Sequence, residues 1–448
     1  MRQYFETGVT KNYLFRKEQL LKLKSALLQN EQAIAEALYT DLRKSPEETW
    51  TTETGFVLAE INYALGHLNK WMKPDRVSTN MLNLFSSSFI IKEPLGTVLI
   101  IGPWNYPLQL LFNPLVGAIA AGNCAVIKAS EFAPATTAIV KQIVAAIFDE
   151  NYILLVEGDG ATLIPEMMDN FIFDHVFYTG STAVGKLIYQ MAAKNLVPVT
   201  LELGGKSPCI VEADANIRVT AKRIAMAKFS NAGQICIAPD YLMVHETVKD
   251  ALVAALQKAM LQFLGEDPTQ SYDYGRIINQ KQFTRLQCHL AEGNIITGGK
   301  TDQAQLYISP TLMDQVTVES QIMKEEIFGP ILPIISFTSR EAARTIIAKN
   351  PNPLAFYVFT SSSEKQKWWL NKVAFGGGCI NNALFHLTNH ALPFGGRGAS
   401  GTGSYHGKFS FDAFSHKKSI LKTPTWFDPK DKYPSYQGKI KILKWLMK

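Results

Sequence analysis

The chain has 448 residues, of which 47% are hydrophobic and 19% charged, a composition that excludes a disordered or fibrous protein. At about 150 residues per domain, this length predicts two or three structural units. The net charge of +6 is small for the length, and there is no arginine-rich stripe or zinc-finger spacing, so the sequence gives little support to nucleic-acid binding.

The first 75 residues predict long helices, because apolar side chains recur at helical spacing over residues 14–43 and again over 48–73. From 76 to 94 the sequence turns to β-forming residues and serines, which is typical of an extended hairpin arm. The apolar run 108–127 is interrupted by polar residues and proline. It therefore predicts a buried helix leading into a strand rather than a membrane span.

Strands and helices then alternate along the chain. We predict a strand at 96–102, a helix at 107–121, a strand at 125–128, a helix up to 149 and a strand at 153–156. A second alternating series runs from 203 to about 400. Such alternation indicates an α/β fold with a parallel sheet covered on both faces, with ligands gathering at the carboxyl ends of the strands.

The end of the chain, from residue 424, is rich in lysine, tyrosine and proline and closes on an amphipathic pattern. A helix of this kind either contacts an anionic membrane or packs on the protein, and we favour packing.

Five cysteines are scattered along the chain without a Cys-x-x-Cys pair: Cys124, Cys209, Cys236, Cys288 and Cys379. This argues against a disulfide framework and favours a reducing compartment. Residues 1–24 are polar and charged and lack the apolar core of a signal peptide. We therefore predict a cytoplasmic protein.

A glycine turn follows the apolar strand at residues 176–179. Gly180 and Ser181 open the turn, and Gly185 lies inside the helical pattern that follows. Free backbone N–H groups at such a helix start favour a phosphate, so a dinucleotide pyrophosphate is a candidate ligand. The acid expected to bind its ribose would be Glu202, 17 residues after Gly185.

Glu202 has a second interpretation, because it ends an apolar strand and is followed by Leu-Gly-Gly-Lys. A carboxylate held there can act as a base. Cys236 follows it by 34 residues, in the segment Asn-Ala-Gly-Gln-Ile-Cys. A single thiol in that setting is either a nucleophile or an inert buried cysteine.

Taken together, the two segments resemble the signature of the aldehyde dehydrogenase superfamily, Glu-Leu-Gly-Gly-Lys followed by Asn-x-Gly-Gln-x-Cys. The resemblance spans nearly the whole chain, and further matching segments lie at residues 103–107, 128–131, 325–330 and 393–396. Ala129 stands where the family usually has proline, and Arg397 where valine is common. Neither departure removes a chemical group.

The ending over residues 400–407 resembles the class 3 branch, whose members are mostly dimers that oxidise medium or long aliphatic and aromatic aldehydes. The implied fold has a Rossmann-like cofactor domain (1–75 and 95–203) and an α/β catalytic domain (204–404). It also has a β-arm for oligomerisation (76–94 and 405–423), in which residues 409–420 are expected to form a strand, and a basic tail (424–448).

The resemblance also implies roles for particular residues. Cys236 would be the nucleophile, Glu202 the base, and Asn105 an oxyanion donor together with the backbone N–H of Cys236. The residues implied to bind NAD or NADP are Lys128 and Glu131 at the adenosine ribose, Gly180, Ser181 and Gly185 near the pyrophosphate, and Glu326 and Phe328 at the nicotinamide ribose. Tyr106 would contact the substrate.

Three alternative functions fit the sequence less well. A metal site is not expected, because His386 and His390 are four apart but lack the glutamate of a zinc-hydrolase helix. A CoA-acylating enzyme commonly lacks the base that Glu202 would supply. A non-catalytic protein on the same scaffold would not need Cys236, Glu202 and Asn105 together.

Overall fold

The computed structural model describes residues 1–447, and the elements within this range are numbered in chain order. The helices are α1 Arg2–Glu6, α2 Tyr13–Gln29, α3 Glu31–Leu42, α4 Pro46–Thr49, α5 Gly55–Met72, α6 Gln109–Ala121, α7 Pro134–Ile147, α8 Gly160–Asn170, α9 Thr182–Ala193, α10 Ile217–Phe229, α11 Lys249–Leu264, α12 Gln280–His289, α13 Gln321–Lys324, α14 Arg340–Ile347, α15 Ser363–Lys372, α16 Lys408–Ala413 and α17 Ile440–Leu446.

The strands are β1 Asp75–Val77, β2 Ser87–Pro94, β3 Thr97–Ile101, β4 Cys124–Lys128, β5 Ile153–Val156, β6 His175–Gly180, β7 Val199–Leu203, β8 Pro208–Val211, β9 Tyr241–His245, β10 Asn294–Thr297, β11 Thr301–Asp302, β12 Tyr307–Ile308, β13 Thr311–Asp314, β14 Ile331–Phe337, β15 Ala355–Phe359, β16 Gly377–Ile380, β17 Gly401–Thr402 and β18 Ser415–Lys422.

A first sheet has the order β17-β7-β6-β3-β4-β5, and its neighbours are parallel except for β17, which is antiparallel to β7. Strand β3 is buried throughout, and its side chains alternate between two faces. Val98 and Ile100 belong to the main core with α6 and α7. Leu99 and Ile101 belong to a second cluster with α8 and α9. The predicted parallel sheet covered on both faces is confirmed.

A second sheet has the order β10-β13-β14-β9-β8-β15-β16, with parallel neighbours from β13 onward. It begins at β8, directly after β7 of the first sheet. The segment between these two strands, residues 204–207, therefore links the two halves of the fold.

The expected arm forms a third sheet, β1-β2-β18, in which β18 pairs with β2 over eight residues. The expectation that the strand begins at Phe409 is wrong, because residues 408–413 form helix α16. Phe411 and Phe414 are both buried in the main core. They lie one helical turn apart, so a helix rather than a strand buries both.

The predicted range 204–404 for one catalytic domain needs a correction at its end. Gly401 and Thr402 form β17 and pair with Glu202 and Leu201 of the first sheet. The chain therefore returns to the cofactor half before residue 404, because the edge of β7 is open to antiparallel pairing.

The tail is predicted to pack on the protein, and the rings of Trp426 and Phe427 lie against Phe85. Trp426 is 74% exposed, and Trp445 on α17 is 65% exposed. Among the residues described, no helix is both long and apolar enough to cross a membrane.

Candidate active site

A cleft of about 620 Å³ lies where the ends of the two sheets meet. Its wall includes residues 103–105, 110, 179–183, 202–206, 236, 282, 285, 324–326, 328, 349–353 and 399. A larger surface groove of about 830 Å³ runs along α2, α3 and residues 46–54, but no cysteine lines it. Because the cleft holds a thiol, carboxylates and a helix N-terminus, we take it as the candidate active site.

Cys236 lies on a tight loop that follows α10. The three residues before Gln234 have left-handed backbone, with φ of 49° at Asn231, 50° at Ala232 and 74° at Gly233. A Cβ atom at Gly233 would lie 2.3 Å from the carbonyl oxygen of Gly329. Only glycine fits there, and this turn directs Cys236 into the cleft.

The surroundings of Cys236 favour the neutral thiol over the thiolate. Burial raises its pKa well above the usual range, and the carboxylates of Glu326 and Glu202 raise it further. Attack on a carbonyl requires the thiolate, so the site must remove this proton before the chemistry begins.

Asn105 follows β3 and lies across the cleft wall from the cysteine loop. Its side chain is almost completely buried, and its Nδ2 donates to the carbonyl oxygen of Gln234 at 2.9 Å. This bond brings the Asn105 amide next to the peptide that precedes Ile235 and Cys236. Asn105 and Cys236 therefore line the same cleft.

Glu202 is 3% exposed, and neither of its carboxylate oxygens has a hydrogen-bond partner among the described residues. Burial raises its pKa well above 4.5. A buried carboxylate without a partner is costly to stability and is expected where it acts on a ligand, a water or a proton.

Glu326 reaches the cleft from the segment after α13. A Cβ atom at Gly204 would lie 1.8 Å from its Oε2, so glycine at 204 makes room for this carboxylate. Burial raises the pKa of Glu326 to about 8, and the charge of Asp240 adds to the effect. Phe328 lies beside it with φ of 50°, and its ring contacts Trp104 edge-on at 5.2 Å.

Lys128 and Glu131 lie away from the cysteine, at the carboxyl end of β4. The two side chains form an ion pair, and Glu131 also accepts from the backbone N–H of Gly160 at 3.1 Å, at the start of α8. Burial opposes the ionised form of Glu131, but the bonds from Lys128 and Gly160 outweigh it and lower its pKa. The carboxylate is therefore ionised and fixed at a helix N-terminus.

The glycine turn sits at the N-terminus of α9 as predicted from the sequence. Gly180 and Ser181 line the cleft, and the Ser181 hydroxyl accepts from the N–H of Val184 at 3.4 Å. Gly185 lies deeper, where a Cβ atom would meet Leu203 Cδ2 at 2.5 Å. It allows α9 to pack closely on β7 and does not form part of the cleft wall.

Tyr106, expected to contact the substrate, is 9% exposed and packs with its ring 3.9 Å from the ammonium of Lys44. Four charged residues at or near the cleft were not predicted from the sequence: Lys44, Lys206, Asp240 and Arg285. Lys206 forms a buried ion pair with Asp240, whose other oxygen accepts from the N–H of Ile327 at 2.9 Å. Lys206 belongs to the quoted Glu-Leu-Gly-Gly-Lys segment, so that signal was present.

The chain matches the Aldehyde dehydrogenase family over residues 10–420. It is 50% identical over 446 residues to the 4,4'-diaponeurosporen-aldehyde dehydrogenase of Staphylococcus aureus, covering 98% of this chain and 96% of the relative. Aldehyde dehydrogenase family 3 member B1 of Rattus norvegicus is 43% identical, covering 98% of this chain and 94% of the relative.

Two solved structures give the same result. The substrate-bound state of Staphylococcus aureus AldH has a TM-score of 0.97 at 49% identity, covering 100% of this chain and 98% of that one. A mutant of the P. syringae indole-3-acetaldehyde dehydrogenase AldA, in complex with NAD+ and IAA, has a TM-score of 0.86 at 26% identity. The match covers 94% of this chain and 87% of that one.

The chain therefore belongs to the aldehyde dehydrogenase family, and its relatives place it in the class 3-like branch. It is an enzyme that oxidises aldehydes to carboxylic acids with NAD or NADP. The resemblance inferred from the motifs is confirmed, whereas the roles of individual residues stay predictions.

Replacing Gly233 by alanine should lower kcat strongly, because the new methyl group would collide with Gly329 and displace the cysteine loop. Gly265 is a matched control, since its φ is 78° but a Cβ atom there meets nothing within 4 Å. Gly265→Ala should cost about 1 kcal/mol of stability and leave kcat near wild type. Equal kcat values for the two variants would show that the turn at Gly233 does not position the nucleophile.

Proposed function

We propose that Cys236 is the nucleophile, Glu202 the base, and Asn105 an oxyanion donor in the oxidation of aldehydes to acids. The observation that carries this proposal is the Glu202 carboxylate, which is buried without a partner in the same cleft as a protonated thiol. The two groups are complementary, because the thiol must lose a proton and the carboxylate can accept one.

The cleft is suited to a dinucleotide. Free N–H groups at the start of α9 favour a pyrophosphate, and the carboxylates of Glu131 and Glu326 can accept from ribose hydroxyls. Glycine at 204 leaves room for the Glu326 carboxylate to reach the cleft wall. When bound, the nicotinamide supplies the hydride acceptor.

The residues of the chain account for the rest of the reaction. Glu202 takes the proton of Cys236, directly or through water, and Sγ forms a bond to the aldehyde carbon. The carbonyl electrons move to oxygen, where the Asn105 amide and the Cys236 N–H donate to the negative charge. Loss of hydride from that carbon leaves a thioester on Cys236. Glu202 gives the proton that it took from Cys236 to solvent and then takes one from the attacking water. The C–S bond breaks, the sulfur leaves as the thiolate of Cys236, and the acid is released.

Release to water, rather than to CoA, is supported by the same carboxylate. A CoA thiol can discharge the thioester without a base inside the site, whereas water needs one. Glu202 is also better explained as a base than as a ribose ligand, because a second carboxylate is available for the ribose. That carboxylate is Glu131, which is fixed at the N-terminus of α8 towards the other end of the sheet.

Glu202→Gln tests this assignment. We expect NAD binding to persist and turnover to fall. Provided that the Cys236 thiol still ionises without this base, the thioester accumulates and is seen as a burst of absorbance at 340 nm followed by slow turnover. Cys236→Ala is the control, which should bind NAD with no burst and no turnover. A large rise in the dissociation constant of NAD for Glu202→Gln, with hydrolysis intact, would assign Glu202 to the ribose instead.

We propose that NAD is preferred over NADP and that the substrates are medium or long aliphatic or aromatic aldehydes. Lys128 is paired with Glu131, so an ionised carboxylate rather than a free cation would face a 2′-phosphate. For the substrate, the support is the class 3-like branch and a relative named for 4,4'-diaponeurosporen-aldehyde.

Steady-state kinetics on an aldehyde series with both cofactors checks this preference. We expect kcat/KM to be higher with NAD and to rise from short to long chains. Glu131→Gln should narrow the difference between the cofactors, since it removes the repelling charge. A wild-type enzyme that prefers NADP would contradict the proposal.

We also propose a homodimer, in which the arm pairs with the partner. Strand β18 is an edge strand of eight residues, mostly exposed, with one side paired to β2. Such a long edge gains by pairing with another chain. Light scattering at micromolar concentration should give about twice the chain mass of 49.9 kDa. A monomer mass would count against it.

A cytoplasmic location is a further proposal, supported by five free cysteines, one of which must stay reduced to act. Weak contact of the basic tail with an anionic membrane is compatible with the exposed Trp445. Cell fractionation distinguishes a wholly soluble enzyme from one partly bound to membranes.

A further inference from the structure

A buried ion pair lies beneath the active site, in a part of the chain where the sequence showed no motif. The Nζ atom of Lys44 is 2.6 Å from Oε1 of Glu53, and both side chains are 0% exposed. Glu53 belongs to a π-helical turn, Trp50–Thr54, between α4 and α5. Irregular turns of this type occur frequently at functional sites.

The lysine end of the pair contacts the backbone of Asn105. Lys44 Nζ donates to the carbonyl oxygen of Asn105 at 3.0 Å, and Asn231 Nδ2 donates to the same oxygen at 2.9 Å. These two bonds fix the peptide that joins Asn105 to Tyr106. They therefore limit the directions in which the Asn105 side chain can point.

The glutamate end holds the same segment a few residues further on. Oε2 of Glu53 accepts from the N–H groups of Leu108 at 3.2 Å and Gln109 at 2.8 Å, at the start of α6. A charged acceptor is well placed there, because these N–H groups have no partner within the helix. The ion pair thus binds the segment 105–109 at both ends.

The neighbouring residue Glu48 extends this contact to the cysteine loop. Its Oε1 accepts from the backbone N–H of Asn231 at 2.9 Å. Asn231 and Asn105 each donate through Nδ2 to the carbonyl oxygen of Gln234. One short stretch of the chain, residues 44–53, therefore contacts both sides of the proposed oxyanion site.

We propose that Lys44 and Glu53 are positioning residues for the reaction, which hold the Asn105 amide where the oxyanion develops. Stability alone is a weak reason for such a pair, because a buried ion pair can often be replaced by uncharged residues of similar size without loss. Geometry is the stronger reason, since each charge is directed at a specific backbone group of the segment 105–109. This inference rests on the proposed role of Asn105.

The test is a double-mutant cycle between the ion pair and Asn105. The variant Lys44→Met/Glu53→Gln keeps the approximate shapes and removes both charges of the pair together. In the wild-type background, Asn105→Ala should lower kcat by about 10²- to 10³-fold. In the Lys44→Met/Glu53→Gln background it should lower kcat less than about tenfold, because the donor is already misplaced. The dissociation constant of NAD should hardly change in either background.

Arg16→Met is the matched control. Arg16 is also a buried cation, and it donates to the carbonyl oxygen of Ala120 at the other end of α6. It has no contact with the segment 105–109, so Asn105→Ala should keep its full effect in the Arg16→Met background. A purely structural role for Lys44 and Glu53 would make them behave like Arg16.

The outcomes separate the two proposals. If Asn105→Ala has no effect in the wild type, the proposed oxyanion role fails. If it has its full effect in both backgrounds, to within about twofold, the oxyanion role stands and the positioning role is overturned. Should the double variant not fold, Lys44→Gln/Glu53→Gln serves in the same cycle, since it also removes both charges together and keeps polar groups at both positions.

Discussion

The turn of left-handed backbone at Asn231, Ala232 and Gly233 is the constraint on which the site depends. Non-glycine residues in this conformation cost of the order of 1–3 kcal/mol each, so the turn persists only because its surroundings hold it. The fully buried Gln234 does much of this: its Nε2 donates to the carbonyl oxygens of Asn231 and Arg276, and its Oε1 accepts from the N–H of Ile278. The thiol is therefore presented by a loop fixed from three sides.

Electrostatics in the cleft oppose stability. Burial raises the pKa of Glu202 and Glu326, so the folded protein binds protons more tightly at these groups than the unfolded chain does. The folded state is therefore favoured below the ordinary pKa of glutamate and loses this advantage as pH rises through the raised pKa. Glu131 behaves in the opposite way, because its lowered pKa stabilises the fold above the ordinary range. Glu202, the carboxylate proposed as the base, is therefore one whose ionisation the fold resists.

Periodicity and motifs were enough to predict the parallel sheet, the glycine turn at α9 and the clustering of Glu202, Cys236 and Asn105 in one cleft. They failed at residues 408–413, where alternate residues Phe409 and Phe411 fit a strand. The buried pair Phe411 and Phe414 fits a helix equally well. A short aromatic run of this kind fits both the two-residue period of a strand and the 3.6-residue period of a helix. Only the packing of α16 on α6 decides between the two structures.

The ion pair of Lys44 and Glu53 shows a different limit. Charged residues in a helical segment are normally solvated, and nothing local distinguishes these two from the exposed Glu47 beside them. Their hydrogen bonds reach 55 to 61 positions along the chain, to residues 105–109. The same N-terminal region makes another distant contact, because the carbonyl oxygen of Leu42 accepts a hydrogen bond from the N–H of Arg276 at 2.9 Å. The motifs thus point to the groups that we propose to react, whereas the N-terminal helices, which carry no motif, contribute to where those groups are held.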